Sequence, residues 1–288
     1  MATFVDFLHG ARPRTLPAAV VPVIVGIAVA ADEAKVNVLN ALLALVVALA
    51  VQIGTNYAND YSDGVKGTDS VRVGPTRLVA GAIASPRAVK IAALVSFFVT
   101  AAAGLTIAVR TSPWLILVGA LCILAGWLYT GGPKPYGYLG LGELFVFIFF
   151  GLVAVIGTTY AASDKFIPLS VFAAVPVGLL AVCLLMINNI RDIETDKKSG
   201  KNTLAVIMGD KRSRLLYVSI LVSAVCIAAV IAVVKISALL VLLCIPLMFT
   251  PVRKVLAGDK GLDLIPVLAK TALVQIVAGI LLAIGIWL

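Results

Sequence analysis

Residues 167–190 read IPLSVFAAVPVGLLAVCLLMINNI, a run without one Asp, Glu, Lys or Arg. About 20 consecutive apolar residues suffice to cross the hydrocarbon core of a bilayer as a helix. Lipid offers no hydrogen bonds, so a continuous apolar run must satisfy its backbone internally as a helix, whereas a barrel strand would alternate over about ten residues. Blocks of the same kind recur along the chain at about 16–31, 38–57, 88–109, 114–129, 141–162, 167–190, 215–234, 236–250 and 264–288. With 61% hydrophobic and 13% charged residues and a mean hydropathy of +1.11, the 288-residue chain lies far from soluble composition. The expectation is an all-α integral membrane protein with nine transmembrane helices, forming a single domain over residues 1–288.

Loop charge orients these helices, because Lys and Arg accumulate on the cytoplasmic side. With nine spans, only Lys35, Arg110, Lys165 and Lys235 fall on one side, leaving nineteen of the 23 basic residues on the other. The N-terminus is therefore expected in the cytoplasm and the C-terminus outside. The block at 236–250 is short and contains Pro246; as a re-entrant hairpin it would move Arg253, Lys254 and Lys260 outside, against the charge bias. The net charge of +9 is explained by topology and by attraction to anionic headgroups, so nucleic acid is not an expected partner. Arg12 and Arg14 before the first block resemble the start of a secretory signal, but eight further blocks favour an uncleaved helix. Cys122, Cys183, Cys226 and Cys244 stand singly in apolar blocks, and His9 is the only histidine, which leaves little for His- or Cys-based metal chemistry.

The run at 167–190 does not stop at apolar residues but continues Arg191-Asp192-Ile-Glu194-Thr-Asp196. On a continuing helix Asn188, Asp192 and Asp196 fall on one stripe at i, i+4 and i+8. The second block ends in the same manner, with Gln52, Asn56, Asp60 and Asp63 on one face and Asn59 beside them. Stacked carboxylates at a membrane face repel one another, so a cation between them is the natural reason for their presence. Mg²⁺ suits an all-oxygen set in which one or two carboxylates and substrate phosphates complete the shell. Lys66, Arg72 and Arg77 follow the first stripe, and Arg191, Lys197, Lys198 and Lys201 surround the second, supplying donors for phosphate oxygens. Lys211, Arg212 and Arg214 read more simply as ordinary loop charges. Asn56/Asp60 and Asn188/Asp192 occupy matching places four helices apart, which suggests two pseudo-repeated four-helix halves plus a ninth helix, with the site between the halves.

These motifs resemble the UbiA superfamily of intramembrane aromatic prenyltransferases over essentially the whole chain. The family's first motif, N-D-x-x-D-x-x-x-D, is met by Asn59, Asp60 and Asp63, with Gly67 at the third Asp and Asp69 two residues later as a substitute; the second, D-x-x-x-D, is met by Asp192 and Asp196. Within the family the chain is most similar to the menaquinone branch, through Ala11-Arg12-Pro13-Arg14-Thr15-Leu16-Pro17, the stretch 56–67 and Arg72-Val73-Gly74-Pro75-Thr76-Arg77. The resemblance implies Mg²⁺ held by Asp60, Asp63, Asp192 and Asp196, oriented or helped by Asn56, Asn59 and Asn188. It implies Arg72, Arg77, Tyr129, Lys134, Lys197, Lys201 and Asp69 at the substrates, polyprenyl diphosphate and 1,4-dihydroxy-2-naphthoate. Tyr136, Tyr138 and Phe145 either face the reacting groups or anchor helix ends at the interface, and Glu143 is the acid with the least evident purpose. The implied location is the plasma membrane of a prokaryote, multi-pass, with the active site on the cytoplasmic side and no obligate protein partner. A 4-hydroxybenzoate acceptor remains open, as does transport, although carriers place ionisable groups near the midplane and here the acids collect at helix ends. A CDP-alcohol phosphotransferase is disfavoured because Asp63-Gly64 is followed by Val65-Lys66-Gly67-Thr68 rather than that family's pattern.

Overall fold

A computed structural model describes residues 2–68 and 77–288, whose regular elements are all helices with no strand among them. Each apolar block forms a helix. A short helix α1 (Phe4–Gly10) precedes α2 (Pro17–Glu33), followed by α3 (Val38–Lys66), α4 (Pro86–Arg110), α5 (Trp114–Leu128) and α6 (Gly142–Ser163). Then come α7 (Leu169–Lys198), a short α8 (Leu204–Met208), α9 (Asp210–Val233), α10 (Ile236–Ala257) and α11 (Leu264–Trp287). Among the described residues seven helices are long and apolar enough to cross a membrane. The remaining two blocks depart from the ideal span. The segments Phe4–Thr15 and Pro17–Glu33 meet at a 56° bend, where Arg12 takes a left-handed conformation (φ 55°) before Pro13; α5 has 15 residues, fewer than the ~20 of a full crossing.

The block at 236–250 does not turn back on itself. It starts as a 3₁₀ segment, Ile236–Cys244, and continues through Pro246 and Pro251 to Ala257. Ser237 near its start donates to Gly285 at the end of α11, while Val255 near its finish accepts from Arg214 at the start of α9. The helix therefore runs from one end of the bundle to the other, and the hairpin alternative falls away.

Two main apolar cores result, with two small clusters around Ala30 and Ala44 beside them. The larger gathers α2, α6, α7, α9, α10 and α11 around Val25, Val155, Ile187, Leu221 and Leu282; the smaller joins the α1–α2 connection, α3, α4 and the 78–84 segment around Ala58, Leu78, Ala93 and Phe97. Thus α2, first in the chain, belongs to the core of the later helices. Small residues allow this: a Cβ on Gly26 would stand 2.7 Å from the Val155 carbonyl oxygen, and one on Gly279 would stand 2.3 Å from Val21 Cγ1. Close backbone approach at Gly is the usual packing device between helices in lipid, where burial of apolar area gives no preference for neighbours over tails. At the end of the bundle where α3 begins, Asn40 accepts from Arg110 and donates to Ala161 O, and Lys235 pairs with Asp32. Arg110, one of the four basic residues assigned to the sparse side, thus meets α3 at the end away from Asp60 and Asp63, and Lys235, another, meets the end of α2.

Candidate active site

The first stripe forms as its spacing implies, because α3 stays helical through Lys66 and stops at Gly67, whose φ of 73° supplies the left-handed cap. Asn56, Asp60 and Asp63 are 3%, 1% and 3% exposed. Each is already engaged. Asn56 Nδ2 donates to Ala11 O at 2.9 Å and to Thr15 Oγ1 at 3.1 Å, and Gln52 also reaches Thr15, so these amides hold the N-terminal segment against α3. Asn59 Oδ1 accepts from Thr130 Oγ1 at 2.8 Å, tying α3 to the connection after α5. Asp60 uses both carboxylate oxygens, Oδ2 for Leu78 N–H and Oδ1 for Val79 N–H, each at 2.9 Å. Asp63 takes a hydrogen bond from the Tyr138 phenol and pairs with Lys201 Nζ at 2.9 Å.

The second stripe lies on α7, which stays helical to Lys198. Arg191 makes a two-pronged contact with Asp192, Nε to Oδ1 and Nη2 to Oδ2, both at 2.7 Å. Asn188 Nδ2 turns back to Leu184 O, and Asn189 Nδ2 donates to Glu143 Oε1 at 2.9 Å. After α7 the chain folds so that Lys201 N–H bonds Asp196 O while its side chain reaches Asp63 on α3. Lys201 therefore joins the two acidic motifs, 138 residues apart in sequence from Asp63.

Both stripes line one cavity of about 760 Å³. Asp60, Asp63, Asp192, Asp196, Asn56, Asn59 and Asn188 all line it, as do Arg77, Tyr129 and Lys201. Lys134 and Lys197 are exposed and stand outside its lining, while Arg72 and Asp69 lie outside the described residues. Lys66 is turned to the carbonyls of Thr130 and Gly132 and caps that connection. The bland reading of Arg214 as a loop charge is corrected: it is 5% exposed and bonds Asp210, Val255 O and Asp259 O, fastening α9 to the end of α10. Sequence reasoning missed Arg12, Arg14, Thr15 and Asn189 as cavity residues; for the first three the only signal was their place before α2, which says nothing of the bend that folds them over the cavity.

Beside the charged groups, Ala18, Val51, Ala125, Phe149, Leu184 and Leu268 give the same cavity an apolar wall. Aromatic rings join the two regions: Tyr136 stacks on Phe145 at 4.0 Å between centroids and meets Tyr129 edge-on at 5.4 Å. Burial pushes the Tyr136 phenol above its ordinary range, so it is a neutral hydrogen-bonding group in any physiological buffer. Tyr138 lies between two ammonium groups, Lys66 at 5.3 Å and Lys201 at 5.1 Å from its ring centre, an arrangement attractive to the ring's negative face. Such a cavity accepts an amphiphile with an anionic head and a hydrocarbon body.

The donor set also bears on metal binding. Among the described residues no three His, Cys, Asp or Glu converge as a preformed cage. The four aspartates offer oxygen alone, two from each side, which fits a hard cation that takes one or two carboxylates and completes its shell with water and ligand phosphates. It does not fit a soft or imidazole-seeking metal.

Comparison with known proteins points the same way. The family model for the UbiA prenyltransferase family matches residues 19–263. The chain is 48% identical over 283 residues to a Mycobacterium leprae protein named 1,4-dihydroxy-2-naphthoate octaprenyltransferase, covering 98% of this chain and 96% of that one. An Escherichia coli protein of the same name is 35% identical, with 98% and 95% covered. Among solved structures, a UbiA homolog from Aeropyrum pernix aligns with a TM-score of 0.72 at 17% identity, over 96% of this chain and 98% of that one. A homolog from Archaeoglobus fulgidus, bound to GPP and Mg²⁺, aligns at 0.63 and 16%, over 96% and 99%. Sequence likeness along nearly the full length, on a bundle of the same fold, places this protein in the UbiA prenyltransferase family.

Proposed function

We propose that this protein transfers a polyprenyl group from polyprenyl diphosphate to 1,4-dihydroxy-2-naphthoate, with loss of the ring carboxylate, forming the quinol form of demethylmenaquinone in menaquinone biosynthesis. The observation that carries this reading is one cavity lined both by two aspartate pairs with their cations and by an apolar wall. The relatives named for this reaction, similar over nearly the full length, support the choice of acceptor.

Asp60 and Asp63 from α3 and Asp192 and Asp196 from α7 would hold Mg²⁺, with Asn59 and Asn188 nearby to orient waters or ligand oxygens. The metal supplies positive charge against the leaving diphosphate. Everything else falls to the chain. Lys201, Arg191 and Arg77 would hold phosphate oxygens; Lys201 and Arg191 are paired here with Asp63 and Asp192, and on binding the ligand they would leave those carboxylates available to a metal. The C–O bond of the prenyl diphosphate then breaks, the allylic carbon is attacked by the electron-rich ring carbon, and carbon dioxide leaves from that carbon. Apolar walls keep water from the allylic cation, and Arg12 and Arg14 on the N-terminal segment add positive charge over the cavity for the acceptor carboxylate or the diphosphate.

The chain is read as one prenyltransferase domain over residues 1–288 with nine membrane crossings, the bent first segment and short α5 included. Its N-terminus and active site face the cytoplasm of a prokaryotic plasma membrane, and no protein partner is required. The test is turnover by purified protein with Mg²⁺, a prenyl diphosphate, and dihydroxynaphthoate or 4-hydroxybenzoate, with products identified by mass. Prenylated, decarboxylated naphthoquinol that disappears on chelation and returns with Mg²⁺ is expected; product from 4-hydroxybenzoate alone would overturn the acceptor assignment.

A further inference from the structure

Glu143 is the buried acid that the reaction above does not use. It lies in the first turn of α6 and is 7% exposed. Asp60, Asp63 and Asp192 are held by backbone N–H groups, Lys201 and Arg191 in turn, whereas Glu143 Oε2 is a buried oxygen with no hydrogen-bond partner among the described residues. Its other oxygen accepts from Asn189 Nδ2 at 2.9 Å. Asn189 lines the cavity and Glu143 stands behind it. A carboxylate oxygen that accepts a hydrogen bond fixes the amide, because a flipped Asn189 would set Oδ1 against an acceptor. The amide atom turned away from Glu143 is therefore Oδ1, itself an acceptor. Tyr129 belongs to the same wall: its hydroxyl is packed over Gly142, 3.6 Å from where a Cβ on that glycine would stand.

This wall is electronegative, an amide oxygen backed by a buried carboxyl. It attracts an O–H donor and repels a carboxylate, while the cations Arg77, Arg191 and Lys201 line other parts of the same cavity. Resting on the acceptor reading above, we propose that Asn189 Oδ1 receives a ring hydroxyl of the acceptor and that Glu143 is the positioning residue that holds the Asn189 amide in the receiving orientation. The pair selects a hydroxylated aromatic ring and turns its carboxylate edge away from α6.

The test compares wild type with Glu143→Gln, Glu143→Leu and Asn189→Ala in lipid nanodiscs. It measures KM for both substrates and equilibrium binding of 1,4-dihydroxy-2-naphthoate against 1-hydroxy- and 4-hydroxy-2-naphthoate, each lacking one hydroxyl. Wild type is expected to favour the dihydroxy compound over one of the two analogues by about tenfold, as a site built around a hydroxyl does when the donor is missing. In Glu143→Leu and Asn189→Ala that preference falls to within about twofold, acceptor KM rises about tenfold, and KM for prenyl diphosphate stays within about twofold. Glu143→Gln retains an intermediate preference, since its carbonyl can still accept from Nδ2; should Glu143→Leu not fold, this variant and Asn189→Ala decide the matter. Unchanged hydroxyl preference in Asn189→Ala, or an equal rise in both KM values, overturns the proposal while leaving the acceptor assignment intact. Wild type that does not bind dihydroxynaphthoate at all overturns the acceptor assignment instead.

Discussion

Replacing Asp60 separates a chemical role from a structural one. Its two oxygens each accept a backbone N–H at 2.9 Å, from Leu78 and Val79, with the side chain 1% exposed. In Asp60→Ala both N–H groups lose their acceptor in a buried place. At about 1–3 kcal/mol for each unsatisfied donor, the loss is roughly 2–6 kcal/mol. For a chain of this size that corresponds to a fall in melting temperature of about 5 °C or more. Asp60→Asn retains one acceptor oxygen but sets an amide NH₂ against the other N–H, so about half the loss is expected. The assay is thermal unfolding in nanodiscs, read beside prenyl transfer at saturating Mg²⁺. Both variants are expected to lose turnover, and the alanine variant to melt below the asparagine variant, which in turn melts below wild type. Asp60→Ala with an unchanged melting temperature would refute the structural role, and full turnover by either variant would remove Asp60 from the metal site.

Other substitutions probe the framework. Lys201→Met leaves Asp63, 5% exposed at its side chain, without its ammonium partner, so a loss of about 3–5 kcal/mol is expected in denaturation, together with a rise in prenyl diphosphate KM. A melting curve like that of wild type would show that the Lys201–Asp63 pair is not needed to join the two motifs. Gly151→Ala places a Cβ 2.7 Å from Gly178 Cα, and the α6–α7 contact must open, at about 1–3 kcal/mol by the same measurement. Arg214→Met removes the bonds to Val255 O and Asp259 O, and should lower stability without altering either KM in initial-rate kinetics.

The pattern of apolar blocks was sufficient for the helices, because in lipid the backbone has no other way to pair its polar groups and length alone sets what can cross. The acidic stripes were legible for a related reason: spacing along a helix decides which side chains share a face. Asn56, Asp60, Asp63, Asp192 and Asp196 therefore reach one cavity as their positions in the chain imply. Sequence reasoning went astray where one residue type has two common uses. Lys134, carried over from the resemblance, and Lys197, chosen for its charge beside the second stripe, are exposed outside the cavity lining; Arg214, taken as a loop charge, is a buried fastener. Charge and proximity in sequence do not tell which way a loop side chain turns.

By itself, then, the amino-acid order determined an all-helical membrane chain with two acidic helix ends, since helix formation and side-chain phase are local properties. Only tertiary structure decided that α2 packs with the late helices, that Lys201 reaches across to Asp63, that Asp60 holds the 78–79 backbone, and that Glu143 stands behind Asn189. Those pairings join residues far apart along the chain, and they depend on where Gly26, Gly151 and Gly279 let backbones come close. Such contacts are fixed by packing in three dimensions, a property that no window of sequence contains.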